Sequence, residues 1–215
     1  MKCIVQISVL SIAFMPCGLA DLTLSQEVEG GPQKGEIVMR VKGDRLRLDL
    51  RGGPTGPMST ILNGKTGEAL TLVHAKKFAI KRNGDQAKQA ARDVSKTAEP
   101  PKPAATSLTE RVGEYEAEVY TMTVDGSKDT LWVVRDYPNF PAIREDLRRV
   151  SHATIAGLNR AGTLDVTTLP GMVVKRQKER GGKKVTITLK SVSLDAIEES
   201  IFETPATYKL VAPKN

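Results

Sequence analysis

Two cysteines occur in the 215 residues, Cys3 and Cys17, and both lie before residue 20. Everything after them lacks a thiol, which removes disulfide scaffolds, cysteine-ligated zinc and thiolate nucleophiles together. Histidine is nearly as scarce. Only His74 and His152 occur, neither in a metal-spaced cluster, so no metal site is expected, and no Gly-x-Ser-x-Gly elbow accompanies them. His74 stands before Ala75-Lys76-Lys77 between two strand patterns and reads as a turn residue. Glycine-rich phosphate binding is also excluded, because Gly52-Gly53-Pro54-Thr55-Gly56-Pro57 has prolines where amides would have to donate. Carboxylate pairs such as Glu198-Glu199 are ordinary in a chain that is 27% charged. The chemistry therefore reads as non-enzymatic, with no cofactor. With 40% hydrophobic residues, 18 Gly and 12 Pro, the chain is neither collagen-like nor of low complexity.

Long apolar runs are missing as well. The longest uninterrupted one past residue 20 is Leu131 to Val134, far short of the roughly 18 residues of a membrane helix. The first twenty residues read separately: Lys2 leads an apolar stretch from Cys3 to Met15, and Gly18-Leu19-Ala20 supplies the small residues of a signal peptidase site. Residues 1–20 are expected to be a signal peptide cleaved after Ala20, which places residues 21–215 in the periplasm or outside the cell as one domain. Lipid anchoring at Cys17 is disfavoured, since Phe14-Met15-Pro16 is a poor lipobox.

Loss of Lys2 lowers the formal charge from +7 to +6. The densest basic patch is Lys175, Arg176, Lys178, Arg180, Lys183 and Lys184, set around Gly181-Gly182 with Glu179 as the one counter-charge. No aromatic is interleaved with these cations, so nucleic acid is not the expected partner. A solvated hairpin tip, or weak contact with an anionic membrane surface, is.

What the chain has in quantity is alternation. Leu46, Leu48 and Leu50 alternate with Arg45, Arg47 and Asp49, and Ile37, Met39 and Val41 do the same ahead of the Lys42-Gly43-Asp44 turn, which predicts a hairpin. Leu70 with Leu72, Phe78 with Ile80, and Val185, Ile187 and Leu189 repeat the signature. In the run from Tyr115 to Val124 the apolar phase switches after Val119, which predicts a bulge or twist there. Turn residues at Gly30-Gly31-Pro32, Asn63-Gly64, Asn83-Gly84, Asp125-Gly126 and Gly181-Gly182 separate the runs. The fold these runs predict is mainly β, a meandering antiparallel sheet of roughly ten or eleven strands that curls on itself rather than a parallel sheet with crossover helices.

Two segments break the period. From Pro141 to Val150, Ala142, Ile143, Leu147 and Val150 share one helical face. Residues 84–108 combine an alanine stripe (Ala87, Ala90, Ala91) with Pro100-Pro101-Lys102-Pro103, and read as a helical insertion or linker. Trp132 lies in a strand apolar on both faces and is expected between sheet and helix.

Gly43-Asp44-Arg45-Leu46-Arg47, Leu72-Val73-His74-Ala75-Lys76-Lys77, Leu131-Trp132-Val133, Leu169-Pro170-Gly171-Met172 and the ending Phe202, Pro205, Tyr208-Lys209 resemble a domain-of-unknown-function family of secreted bacterial proteins. That family is related to the LolA/LolB-like periplasmic lipoprotein carriers. The resemblance implies a curved, unclosed antiparallel β-sheet, a half-barrel whose apolar concave face is covered by a few short helices as a lid, and a carrier or binder of a lipid, an acylated protein or another apolar ligand. On that expectation Leu46, Leu48, Leu70, Leu72, Phe78, Ile80 and Trp132 form one inward cavity closed by Ile143 and Leu147. A cell-envelope structural or interaction protein with a filled core is the alternative.

Overall fold

The computed structural model describes residues 21–30, 34–52, 56–84, 102–124, 126–158 and 166–211. Residues 1–20, most of the 84–108 segment and Gly31-Pro32 fall outside them. Twelve strands form one sheet: β1 (Leu22–Glu29), β2 (Gly35–Lys42), β3 (Arg45–Arg51), β4 (Met58–Asn63), β5 (Ala69–Val73), β6 (Phe78–Arg82), β7 (Ala104–Val112), β8 (Tyr115–Val124), β9 (Ser127–Val134), β10 (Met172–Arg180), β11 (Lys183–Ser193) and β12 (Lys209–Val211). Their order is β12-β6-β5-β4-β3-β2-β1-β11-β10-β9-β8-β7. Two meanders, β1 to β6 and β7 to β11, therefore join where β11 returns to pair with β1. Every pairing is antiparallel except β12 on β6, which is parallel, so the sheet is mixed and not closed.

Turn chemistry sets the registers as the alternation predicts. Gly43 (φ 56°) closes β2–β3 and pairs Val41 with Leu46, Met39 with Leu48 and Ile37 with Leu50. Gly181 and Gly182 (φ 55° and 73°) make the two-residue turn of β10–β11, a geometry whose twist matches the strands it joins.

One long helix, α1 (Phe140–Leu158), connects β9 to β10 and packs against β2, β3 and β4. It runs eight residues past the predicted end at Val150. Its core side is Phe140, Ile143, Leu147 and Val150, while Ala142, expected on that side, is exposed. These side chains share one cluster with Leu22 and Leu24 of β1, Val41, Leu46, Leu62, Ala69, Ala117, Val119, Trp132, Val134, Met172 and Val174. The nine neighbouring strands from β5 to β8 would be roughly 38 Å wide if flat, so contact with one helix requires the sheet to curl around it. The α1 face is the concave one.

The opposite face is covered in two places. Tyr120, Met122, Leu131, Val133 and Leu169 form a cluster on β8 and β9, and Ile61, Leu72, Ala79 and Phe202 form another on β4 to β6. The second cluster lies beneath the C-terminal segment, whose Ile197, Ile201 and Tyr208 pack on it.

The irregularity expected near Val119 is present in one pairing: β8 meets β9 without a register shift, but against β7 the register shifts between Ala105 and Thr109, opposite Val119. It does not restore a single apolar face, because β8 is buried on both: Ala117 and Val119 enter one core and Tyr120 and Met122 the other. A second expectation is corrected. Ala104 to Leu108, read as part of the insertion, open strand β7.

Candidate functional site

Direct cross-strand partners in an antiparallel sheet carry their side chains on the same face. Three ladders of partners therefore run across β1 to β6 on the α1 face. Leu22, Val41, Leu46, Leu62 and Ala69 make the first, and all five are buried in the cluster with α1. Leu24, Met39, Leu48, Thr60, Thr71 and Ile80 make the second, in which only Leu24 is fully buried. The third is Gln26, Ile37, Leu50, Met58, Val73 and Phe78, and from Ile37 onward every member is partly exposed. Burial falls off away from α1. The result is a shelf of eight half-buried apolar side chains, Ile37 and Met39 on β2, Leu48 and Leu50 on β3, Met58, Val73, Phe78 and Ile80, continuous with the packed core.

Of the nine residues predicted to line a cavity, the structure places seven on this side of the sheet. Leu46, Trp132, Ile143 and Leu147 are in the packed core, with Ile143 fully buried, and Leu48, Phe78 and Ile80 are on the shelf. Leu70 and Leu72 are on the other face. The cause is the turn after Val73: a 3-10 turn at His74–Lys76, closed by Lys77 in the left-handed region (φ 48°), pairs Val73 with Phe78 and Leu72 with Ala79. That parity gives Phe78 and Ile80 the face of Val73 and Thr71. Trp132 donates from Nε1 to Glu110 Oε2 at 2.8 Å, and the Lys175 ammonium sits 4.4 Å from its ring centroid. Ile37, Met39, Leu50, Met58 and Val73 were not singled out; the pairing implied by Lys42-Gly43-Asp44 was the signal available for the first three.

Beneath the C-terminal segment lies a polar chain that the sequence did not announce. Asp49, 8% exposed, accepts from Arg40 Nη1 at 2.5 Å, from Arg47 Nε at 2.8 Å and from Ser59 Oγ. Ser59 Oγ is 2.7 Å from His74 Nε2, and His74 Nδ1 is 2.6 Å from the Tyr208 hydroxyl. Arg47 Nη1 donates to Ile201 O at 2.5 Å. Burial alone would raise the Asp49 carboxyl; the hydrogen bonds from Ser59 and Arg47 and the Arg47 and Arg40 charges hold it below its usual value instead. A serine beside a histidine invites a hydrolytic reading. Ser59, however, is 1% exposed and already bonded to Asp49, so no substrate carbonyl reaches it. The chain fastens the C-terminal segment to β3, β4 and the β5–β6 turn. Among the described residues no group of three or more His, Cys, Asp or Glu is placed to hold a metal ion.

A groove of about 380 Å³ opens at the Asn63–Glu68 end of the strands, lined by Ile61, Leu62, Leu70, Phe202 and Leu210. Its charges are matched: Arg45 pairs with Glu199 and stacks 4.8 Å from the Phe202 centroid, and Lys81 pairs with Glu68 at 2.8 Å.

The basic hairpin is less uniform than its sequence. Arg176 is bidentate on Asp129, with Nη2 to Oδ2 at 2.8 Å and Nε to Oδ1 at 3.3 Å, and Asp129 is 2% exposed. Lys175 covers Trp132, and Lys184 pairs with Glu179 at 3.6 Å. Lys178, Arg180 and Lys183 are exposed and have no ion pair among the described residues.

A wide, curled, unclosed sheet holding one helix on its concave side is the half-barrel class. The chain matches the family described as "Domain of unknown function (DUF4412)" over residues 17–208 and belongs to it. Among curated proteins none matches the sequence. Solved structures resemble it in part. PNGF-II matches with a TM-score of 0.47 and 13% identity over 90% of this chain, which spans 32% of the length of PNGF-II. The Mycobacterium tuberculosis lipoprotein LppX matches with a TM-score of 0.43 and 10% identity, covering 83% of this chain and 91% of LppX. LprF from Mycobacterium bovis gives 0.39 and 10%, covering 89% and 91%. Likenesses at these scores transfer no activity to this chain.

Proposed function

We propose that this protein is a non-enzymatic, exported binder of an apolar ligand, a lipid or an acyl chain, and that the ligand lies along the shelf of β2 to β6 beside α1. The observation that carries this is the graded burial of the three ladders. Isolated apolar side chains at a surface need no explanation, but eight in register over five strands, joined to the core, form a contiguous apolar patch of the kind that marks a binding surface. The expected site shifts accordingly. The space beneath Ile143 and Leu147 is occupied by the first ladder, so α1 acts as one wall of the site rather than as its lid.

An acyl chain laid on the shelf leaves water at roughly 0.8 kcal/mol per methylene, which supports binding on the order of micromolar after ordering costs. A fluorescent fatty acid should bind saturably. Leu50→Asp and Phe78→Asp should weaken it at least tenfold with little loss of melting temperature, since both positions are half-exposed. Absence of saturable binding to the unmodified protein would leave the packed core under α1 as support for the envelope scaffold reading.

A further inference from the structure

We infer that the ligand of this shelf is an amphiphile with an anionic head, taken from an anionic membrane surface at the end of the sheet that carries Gly181-Gly182. The inference rests on the apolar-ligand reading above and adds the sign of the head group and the end at which it enters.

The antiparallel registers define that end. β1 finishes there at Glu29, opposite Thr186; β3 finishes at Arg51, opposite Glu36; β4 starts at Met58, opposite Val73; β10 and β11 meet at Arg180 and Lys183. Lys34, Lys76, Lys77, Lys178, Arg180 and Lys183 stand at it, with Lys128 opposite Glu179 and Lys209 opposite Phe78. All eight are exposed and none has an ion pair among the described residues. The carboxylates of the same end are mostly engaged: Glu36 by Arg51 at 3.1 Å, Glu179 by Lys184, and Asp129 by Arg176. Glu29 alone among those named is exposed and without an ion pair.

The other end is built differently. Lys42 pairs with Asp21 at 3.0 Å, Lys65 with Asp44 at 3.2 Å, Lys81 with Glu68, and Arg45 with Glu199. Among the described residues Arg82 and Arg111 are exposed without an ion pair at that other end, so uncompensated positive charge is concentrated at the Gly181-Gly182 end, where it attracts anions from solution and from anionic bilayers. The least buried apolar ladder is at that same end. Lys77 immediately precedes Phe78, its last rung, and Lys34 lies three residues before Ile37, near its first. A chain lying on the shelf with its head at the rim places a carboxylate or phosphate among these cations and its tail towards α1. The matched groove at the Asn63–Glu68 end offers no such asymmetry.

The test compares palmitate with a neutral palmitoyl amphiphile of equal chain length, using the full protein and a variant with Lys76, Lys77, Lys178, Arg180 and Lys183 changed to Gln. In low salt the unaltered protein should bind palmitate at least tenfold more tightly than the neutral compound. The variant should keep its melting temperature and its affinity for the neutral compound, lose the preference, and cease to float with phosphatidylglycerol vesicles. Equal binding of both amphiphiles by the unaltered protein, or a preference that survives in the variant, overturns the head-group inference and leaves the apolar-ligand reading standing. Failure of both amphiphiles to bind saturably overturns the two together.

Discussion

Replacing Asp49 by Asn isolates what fastens the C-terminal segment to the sheet. The carboxylate is 8% exposed and answers two guanidiniums and a hydroxyl, with the Arg40 and Arg47 side chains 27% and 17% exposed. Breaking a fully buried pair costs roughly 3–5 kcal/mol. Both arginines retain some access to water, so a loss of about 2–3 kcal/mol is expected, or about 4–12 °C in melting temperature for a chain of this size. The pH dependence has a definite sign. The folded carboxyl titrates below its usual value, so its contribution is complete above the unfolded value of about 3.9 and is lost as pH falls through the lower folded value. Urea unfolding at pH 7 and pH 5 should therefore show the same gap between the two proteins, and the gap should close only in stronger acid. A loss under about 0.5 kcal/mol at pH 7, or a gap that is already gone at pH 5, would refute this account of the polar chain.

Ile143→Ala should cost about 3 kcal/mol by the same unfolding measurement, because the side chain is fully buried between α1 and the sheet; a cost below about 1 kcal/mol would mean that α1 is not packed as described. Asp146, 4% exposed on α1, has its carboxyl raised by burial, with Arg149 at 3.2 Å as its counter-charge. Its ionised form opposes folding at neutral pH, and that penalty fades as pH falls through the raised value. Asp146→Asn should accordingly raise stability at pH 7 by about 1 kcal/mol, with no gain at pH 3; a loss at pH 7 would show that the Arg149 pair outweighs the burial.

Period-two alternation with a short turn was enough to make β2 and β3 legible to the register, because Lys42-Gly43-Asp44 leaves one way to pair Leu46, Leu48 and Leu50 with Val41, Met39 and Ile37. The sheet class was legible for the same reason, the start of α1 was legible from the helical spacing of Ile143, Leu147 and Val150, and the openness of the sheet came only from the family resemblance. Alternation does not say which face is which. Leu70 and Leu72 look like Phe78 and Ile80 in the sequence, and only the length of the turn through Lys77 sets them on opposite sides. The phase switch in β8 coincides with a real irregularity, carried by β7 between Ala105 and Thr109, but its cause in β8 itself is burial on both faces. Asp49, Ser59, His74 and Tyr208 meet across three strands and the C-terminal segment, and no local pattern in the sequence records such a meeting. The basic run of β10–β11 was visible as charge, but Asp129, nearly fifty residues earlier, had to be placed before Arg176 ceased to count as free.

Photocrosslinking with a palmitate carrying a diazirine midway along its chain tests the central claim most directly, with the attached residues mapped by mass spectrometry. Crosslinks should fall on Leu48, Met58, Phe78 and Ile80 of β3, β4 and β6, and unlabelled palmitate should compete them away. Crosslinks concentrated instead on Leu70, Phe202 and Leu210 at the opposite groove, or labelling that no competitor reduces, would contradict a binding shelf on the concave face.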